Sequence, residues 1–334
     1  MRAYQFTGYG PTSSKVVLTD LAAPVAQRGE VLIEIHAASL NPIDYKIVRG
    51  DLKRVVSYKL PHRLGYDLSG VVTAVGEGVT RFKSGDEVYA RTSGDSIGSF
   101  AQTIALNQDY VAMKPSNLPH DQAAALPLVG LTTVQGLVDR VHVKSGQSIL
   151  IHAGSGGVGT FAVQYCKHLG MNVTATTSSR NAEFVKSLGA DRVIAYDKEN
   201  YLDAGQTYDV VYDTLGGAVT SDSFKVVKRG GVVLSLSGPP DRGFPERVGA
   251  GLVVRLAVWM MSRKVYAAAK QAGASYCWYL TEPSGRQLTD IAKIVESGAI
   301  KPVIDREFPF DRLLDALTHL QSGRARGKIV LKVR

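Results

Sequence analysis

The sequence predicts an α/β protein of two domains, a mostly-β domain first and a doubly wound parallel sheet after it. Three observations carry this. At 334 residues the chain exceeds what one compact core organises. Up to about residue 124 it reads as short β-rich runs between glycine turns. From about residue 125 short apolar strands alternate with amphipathic helices, the signature of strand–helix–strand units.

In chain order, Val31–Ala37 and Leu68–Val75 are β-rich and glycine-bounded, with Gly76, Gly78 and Gly85-Asp86 marking turns. Helical text is scarce here except after Asn41-Pro42. Ser148–Ala153 is a short apolar strand. A helix over 157–169 follows, with Val158, Ala162, Tyr165, Cys166 and Leu169 on one face and Gly170 as its stop. Asn172–Thr177 is the next strand, then a helix over 180–188 ended by Gly189. Val193–Tyr196, Val210–Asp213 and Val232–Leu236 are further strands. A long apolar and basic helical stretch spans 245–270, an amphipathic helix about 311–321, and a last strand 328–333. The expected division is 1–124 with 275–334 as one domain and 125–274 as the other.

Composition narrows the function. The chain is 45% hydrophobic and 21% charged, as ordinary globular proteins are. No apolar run reaches the roughly 18–20 residues of a membrane span. The start, Met1-Arg2-Ala3-Tyr4-Gln5-Phe6, lacks a signal-peptide pattern, so a cytoplasmic protein is expected. Two cysteines, Cys166 and Cys277, exclude a disulfide framework and a cysteine-rich zinc site. The net charge of +9 is uneven: residues 242–270 hold six Lys/Arg against Glu246 alone. No nucleic-acid-binding signature accompanies it, so nucleic acid is not an expected partner. Within 248–264, Leu252 to Met261 are apolar but for Arg255. That stretch reads either as a buried or lid-like helix or as a peripheral contact with an anionic membrane surface.

The run Gly154-Ser155-Gly156-Gly157-Val158-Gly159 fits G-x-G-x-x-G, follows a predicted strand and opens a predicted helix. Gly154 permits the tight turn, Gly156 lets backbone approach a pyrophosphate, and Gly159 lets helix pack on strand. The helix end offers N–H donors and the positive end of its dipole. A dinucleotide site is the implication. An NAD site would place an acid about 20 residues on, for the ribose hydroxyls. Here that place reads Thr177-Ser178-Ser179-Arg180-Asn181, groups suited to a 2′-phosphate. One charge-assisted hydrogen bond contributes about 1.5–3 kcal/mol, which favours NADPH over NADH roughly tenfold or more.

Several segments resemble the zinc-free quinone oxidoreductase branch of the medium-chain dehydrogenase/reductase superfamily. They are Asn41-Pro42-Ile43-Asp44, Val75–Val79 running on to Phe82–Val88, Gly98-Ser99-Phe100-Ala101, Leu126–Thr133 and Asp213-Thr214-Leu215-Gly216-Gly217. Asn181–Lys186 is similar to text in chloroplast-envelope quinone oxidoreductase homologues and reticulon-4-interacting mitochondrial proteins. The resemblance implies a GroES-like first domain and a Rossmann second domain. It places Asn41 beside the nicotinamide and Thr132 near the carboxamide. It also puts Tyr196 by the adenosine ribose, Leu215, Ser237 and Gly238 along the cofactor, and Lys328 approaching it from the last strand.

The alcohol dehydrogenases of that superfamily carry a catalytic zinc. This chain has Gly65-Tyr66-Asp67 at the ligand-histidine segment and Asn41 in the region of the early cysteine, so no metal site is expected. Without a Lewis acid, alcohol oxidation gives way to hydride delivery to an already activated carbon. The implied reaction is NADPH-dependent reduction of quinones or of the C=C bond of α,β-unsaturated carbonyls. Asn41, Tyr45 and Tyr66 are the candidate hydrogen-bond or proton donors, Tyr45 first; Tyr66 reads equally well as packing. The competing reading is an NADPH-binding sensor or scaffold without efficient turnover. The quaternary state is read as monomer or homodimer.

Overall fold

The computed structural model describes residues 1–51, 53 and 58–334. It divides into two units, Met1–Leu131 with Glu282–Arg334, and Thr132–Thr281.

In the first unit, one sheet of the described residues runs Ile304–Pro309, Lys328–Lys332, Glu30–Leu40, Asp67–Val75, Glu87–Arg91, Val111–Met113, with Thr103–Asn107 also on Glu30–Leu40. Its pairings are antiparallel except that of the last two strands in the chain. The alternation of Val31, Ile33 and Ile35, all fully buried, sets which face of Glu30–Leu40 meets the core. Leu68, Val72, Val88, Ile104 and Leu106 complete that cluster. Two registers matter for function. Ser39 lies opposite Asp67, and Ile329 lies opposite Leu40. One step further along the second ladder brings Lys328 to Asn41, where the chain turns into the helix Pro42–Arg49.

The second unit holds a parallel sheet in the order Arg192–Ala195, Asn172–Thr177, Ser148–Ile151, Tyr208–Asp213, Val227–Ser235, Ser275–Trp278 among the described residues. Its central strands are buried nearly throughout, as strands covered on both faces must be. Strand order reverses between Ser148–Ile151 and Tyr208–Asp213, and ligands bind at the carboxyl ends beside such a reversal. The unit runs to Thr281, past the boundary at 274 expected from sequence, because Ser275–Trp278 pairs with Val232–Ser235 and extends the sheet.

Two helices differ from expectation. The span 180–188 is a 3₁₀ turn, Ser179–Asn181, followed by the helix Ala182–Ser187. The span 245–270 breaks into Phe244–Arg247 and Leu252–Ala272, with Gly249 at φ 63° between them. The second of these is not a buried helix. Only Val258, Ser262, Val265 and Ala269 are buried, one stripe at four- and three-residue spacing. No helix among the described residues is long and apolar enough to cross a membrane.

Candidate active site

The glycine turn lies at the carboxyl end of Ser148–Ile151, and the helix Gly157–His168 starts from Gly156 as its N-cap. Gly154 N–H donates to Thr176 O at 2.8 Å and Gly156 N–H to Ala153 O at 2.9 Å, which ties the turn to the neighbouring strand. A Cβ on Gly159 would lie 2.2 Å from Ala153 O, and one on Gly154 would lie 2.8 Å from Ala175 Cβ. Both positions therefore require glycine for packing. Gly156 is different: its nearest neighbour would be Ala153 O at 3.3 Å, so the space beside it is open to an approaching group. The N–H groups of the helix's first turn, Gly157, Val158 and Gly159, have no intrahelical acceptors. This donor set fits a pyrophosphate.

Ser155 sharpens the fit. Its oxygen accepts from Thr177 Oγ1 at 2.9 Å and from Asn181 Nδ2 at 3.2 Å. With both lone pairs engaged, the Ser155 hydroxyl is left as a donor, the role an anionic ligand demands. Thr177 is buried and its hydroxyl donates to Ser155, so it orients the Ser155 hydroxyl.

After the strand Asn172–Thr177, Ser178 is half-buried while Ser179 and Arg180 are exposed. Among the described residues Arg180 forms no ion pair. Ser179 is already engaged: its N–H and hydroxyl donate to Asp197 at 2.7 and 2.6 Å. Those donors hold the Asp197 carboxyl below its ordinary range. Ser178 and Arg180 have no carboxylate partner among the described residues, whereas both donors of Ser179 are taken. Tyr196 is 66% exposed, and its N–H donates to Thr177 O.

The other expected cofactor contacts sit on loops pinned by buried groups. Asp213 is fully buried and takes the Leu215 and Gly216 N–H groups on one oxygen, Thr220 and Ser235 hydroxyls on the other. That anchors the loop after Tyr208–Asp213 and leaves the Leu215 side chain 54% exposed. Ser237 donates to Thr214 O and the Gly238 N–H to Ser235 Oγ. Thr132 is buried, with its hydroxyl 2.9 Å from that of Thr281 and its carbonyl accepting from Tyr279.

In the first unit the register described above gathers a buried polar cluster. Asp67 Oδ2 accepts from Ser39 Oγ (3.0 Å), Asn41 Nδ2 (2.9 Å) and Lys328 Nζ (3.3 Å), and Oδ1 from Leu128 N–H (2.9 Å). Lys328 Nζ also donates to Leu40 O at 3.0 Å and to Asn41 Oδ1. The Asn41 carboxamide is thus clamped at both ends. Burial pulls the Lys328 ammonium down from its ordinary range. Lys328 is a clamp on Asn41 inside this unit, its buried ammonium donating to three acceptors.

Asp44 caps the same helix end. Its Oδ2 accepts the Asn41 N–H at 2.7 Å, while Oδ1 is buried without a partner. Burial first, and the nearby Asp67 charge after it, push its carboxyl up to about 8. Tyr45 is half-buried with the Arg49 guanidinium 6.0 Å from its ring centroid. Tyr66 is buried, its hydroxyl 3.4 Å from that of Tyr58 and its ring under Arg91. Burial raises the Tyr66 phenol far above its ordinary range, so it stays neutral.

Ser39, Asp67, Asp197 and Asn181 are the residues that sequence reasoning left out of the expected site. Asn181 stood in the right segment. Asp67 stood in the Gly65-Tyr66-Asp67 segment without a role assigned to it, and Ser39 carried no signal beyond being polar near the end of an apolar strand.

Comparison with known proteins agrees with this layout. Residues 27–116 match the alcohol dehydrogenase GroES-like domain, and residues 188–331 match the zinc-binding dehydrogenase family. The chain is 38% identical to 2-methylene-furan-3-one reductase of Solanum lycopersicum, over 99% of this chain and 79% of that protein. It is 36% identical, with the same coverage, to the chloroplastic NADPH-dependent alkenal/one oxidoreductase of Arabidopsis thaliana. The quinone oxidoreductase structure from Coxiella burnetii superposes with a TM-score of 0.85 at 34% identity, over 100% of this chain and 99% of that one. With a GroES-like domain, a dinucleotide fold, and Asn41 and Tyr66 in the segments where the zinc enzymes carry ligands, the chain belongs to the zinc-free quinone oxidoreductase branch of the medium-chain dehydrogenase/reductase superfamily.

Proposed function

We propose that this chain is a zinc-independent, NADPH-dependent reductase acting on quinones or on the C=C bond of α,β-unsaturated carbonyls. The observation that supports the cofactor choice is Arg180, exposed and without an ion pair among the described residues. Ser155, forced to donate, serves the pyrophosphate that NADH and NADPH share. Both curated relatives cited above carry reductase or oxidoreductase names for enone-type substrates.

When bound, NADPH supplies a hydride, and reduction of an activated carbon leaves negative charge on the substrate oxygen. The chain's task is to hold the two reactants and to stabilise that oxygen. The first-turn N–H groups and Ser155 hold the pyrophosphate, and Ser178 and Arg180 hold the 2′-phosphate. Asn41 is oriented by Lys328 and Asp67, and its carboxamide reaches the substrate oxygen by exchanging the longer bond, 3.5 Å, that it donates to Ser39 O. Tyr66 donates a hydrogen bond without giving up its proton, because burial disfavours its phenolate. Tyr45, less enclosed, is the side chain whose hydroxyl delivers a proton.

The test is steady-state NADPH oxidation with a panel of quinones, alkenals and vinyl ketones, run with wild type and Arg180→Ala. Turnover on one of these classes, with NADPH affinity in the variant falling about tenfold and NADH affinity unchanged, is expected. Tight NADPH binding without turnover on any substrate replaces the reductase with a sensor. An unchanged NADPH preference in Arg180→Ala removes the phosphate assignment.

A further inference from the structure

We infer that the outward face of the helix Leu252–Ala272 docks on an anionic lipid surface. The buried stripe of Val258, Ser262, Val265 and Ala269 fixes the helix on its unit. Opposite that stripe, Val253, Leu256 and Met260 recur at three- and four-residue spacing, and their exposures run from 52% to 84%. Leu252, Trp259 and Met261 widen the patch, each at least half exposed. Single exposed apolar residues are ordinary; a contiguous row of large ones along one helix is not. No residue of the first turn, Leu252 to Leu256, is buried, and Leu252, Arg255 and Leu256 line an open cavity with Arg242, Glu246 and Trp259.

Charge selects the occupant. The helix carries Arg255, Arg263, Lys264 and Lys270 and no acid. Only Arg255 has a carboxylate near, Glu246 at 3.9 Å, and among the described residues Arg263, Lys264 and Lys270 form no ion pair. Arg263 and Lys264 flank the apolar row on its two sides, on the helical wheel set by the buried stripe. Beside it, the Arg242 guanidinium lies 5.9 Å from the centroid of the Trp259 ring. Apolar side chains between basic ones, with an exposed tryptophan, are what an interfacial helix needs to sink its apolar row while its cations meet lipid phosphates. A second copy of the chain is the poorer fit. Symmetric pairing sets the same face against itself, so these cations would oppose each other with no acid on the helix to relieve them.

The experiment is co-sedimentation of the full chain with vesicles of phosphatidylcholine alone or with about 30% phosphatidylglycerol. Wild type, Leu256→Glu/Met260→Glu and Arg263→Gln/Lys264→Gln are compared. Binding to the anionic vesicles at low salt, and little to the neutral ones, is expected. It should fall steeply at about 1 M salt, where charges are screened within about 3 Å. The glutamate pair abolishes binding, and the glutamine pair weakens it about tenfold or more. All changes lie on exposed positions, so melting temperature and turnover of a water-soluble substrate stay at wild-type values. Absence of binding to anionic vesicles overturns the inference, as does binding that ignores both variants. A concentration-dependent dimer in sedimentation velocity, dissolved by the glutamate pair, overturns it in favour of self-association.

Discussion

Replacing Lys328 with methionine separates two roles for that residue. The ammonium is buried and donates to Leu40 O, Asn41 Oδ1 and Asp67 Oδ2. Methionine keeps most of the volume and removes the charge and all three donors. Breaking a buried ion pair by deleting one partner costs about 3–5 kcal/mol. Asp67 keeps three other donors, from Ser39, Asn41 and Leu128, which offsets part of the loss. About 3 kcal/mol is therefore expected, a fall in melting temperature of about 4 °C for a chain of this size. The Asn41 carboxamide loses the anchor on its oxygen and no longer holds one orientation, so kcat falls while the NADPH dissociation constant, set in the other unit, stays within about twofold. Calorimetry, NADPH fluorescence titration and steady-state rates check the three parts. A variant that melts with wild type and loses NADPH affinity at unchanged kcat refutes the clamp and returns Lys328 to the cofactor.

Two other changes test the neighbouring features. Asp44 keeps its proton up to about 8 when folded, against an ordinary value of 3.8. Between those values the folded state holds the extra proton, so wild-type stability declines as pH rises, by at most about 1.4 kcal/mol per pH unit, and levels off above about 8. Asp44→Asn retains an acceptor for the Asn41 N–H and removes the titration; it should exceed wild type in stability at pH 8, with the gap closing toward pH 5, and parallel pH–stability curves would sink the argument. Gly159→Ala sets a methyl 2.2 Å from Ala153 O. The turn must open, at a cost of about 1–3 kcal/mol, and the NADPH-induced rise in melting temperature should vanish; an unaltered NADPH affinity would contradict the packing role.

How much of this was legible in the sequence follows from the distance between interacting residues. The glycine turn is a local object: its requirements lie within six positions and the alternation of strand and helix around it, so the fold and the geometry of the turn were both readable from sequence. The buried cluster is not local. Asp67 and Lys328 stand 261 positions apart and meet only through the pairing of Glu30–Leu40 with two different strands. No periodicity announces such a contact, so the bond from Lys328 to Asp67 is invisible until the register is known. Thr177 shows a third case. It sits in the right segment, but the alternation of its strand turns the side chain inward to Ser155.

The nucleotide end holds one more consequence of tertiary pairing. The segment after Asn172–Thr177 contains no acid, and that absence argues for NADPH. The fold nevertheless brings an acid there from the adjacent strand: Asp197 follows Arg192–Ala195 and accepts both donors of Ser179. A carboxylate beside Ser179 opposes a phosphate on Ser178 and Arg180, and it withholds the Ser179 hydroxyl from that phosphate. Arg180 alone therefore overstates the NADPH preference. Asp197→Asn removes the charge while keeping an acceptor for Ser179, and NADPH should bind about two- to fivefold more tightly, the scale of exposed charge interactions, with NADH affinity unchanged. The gain should shrink at high salt. In the Arg180→Ala background the same change should still favour NADPH, because repulsion by Asp197 does not need the arginine. Weaker NADPH binding in Asp197→Asn would mean that Asp197 chiefly holds the loop in shape, and that its bonds to Ser179 serve the phosphate site rather than compete with it.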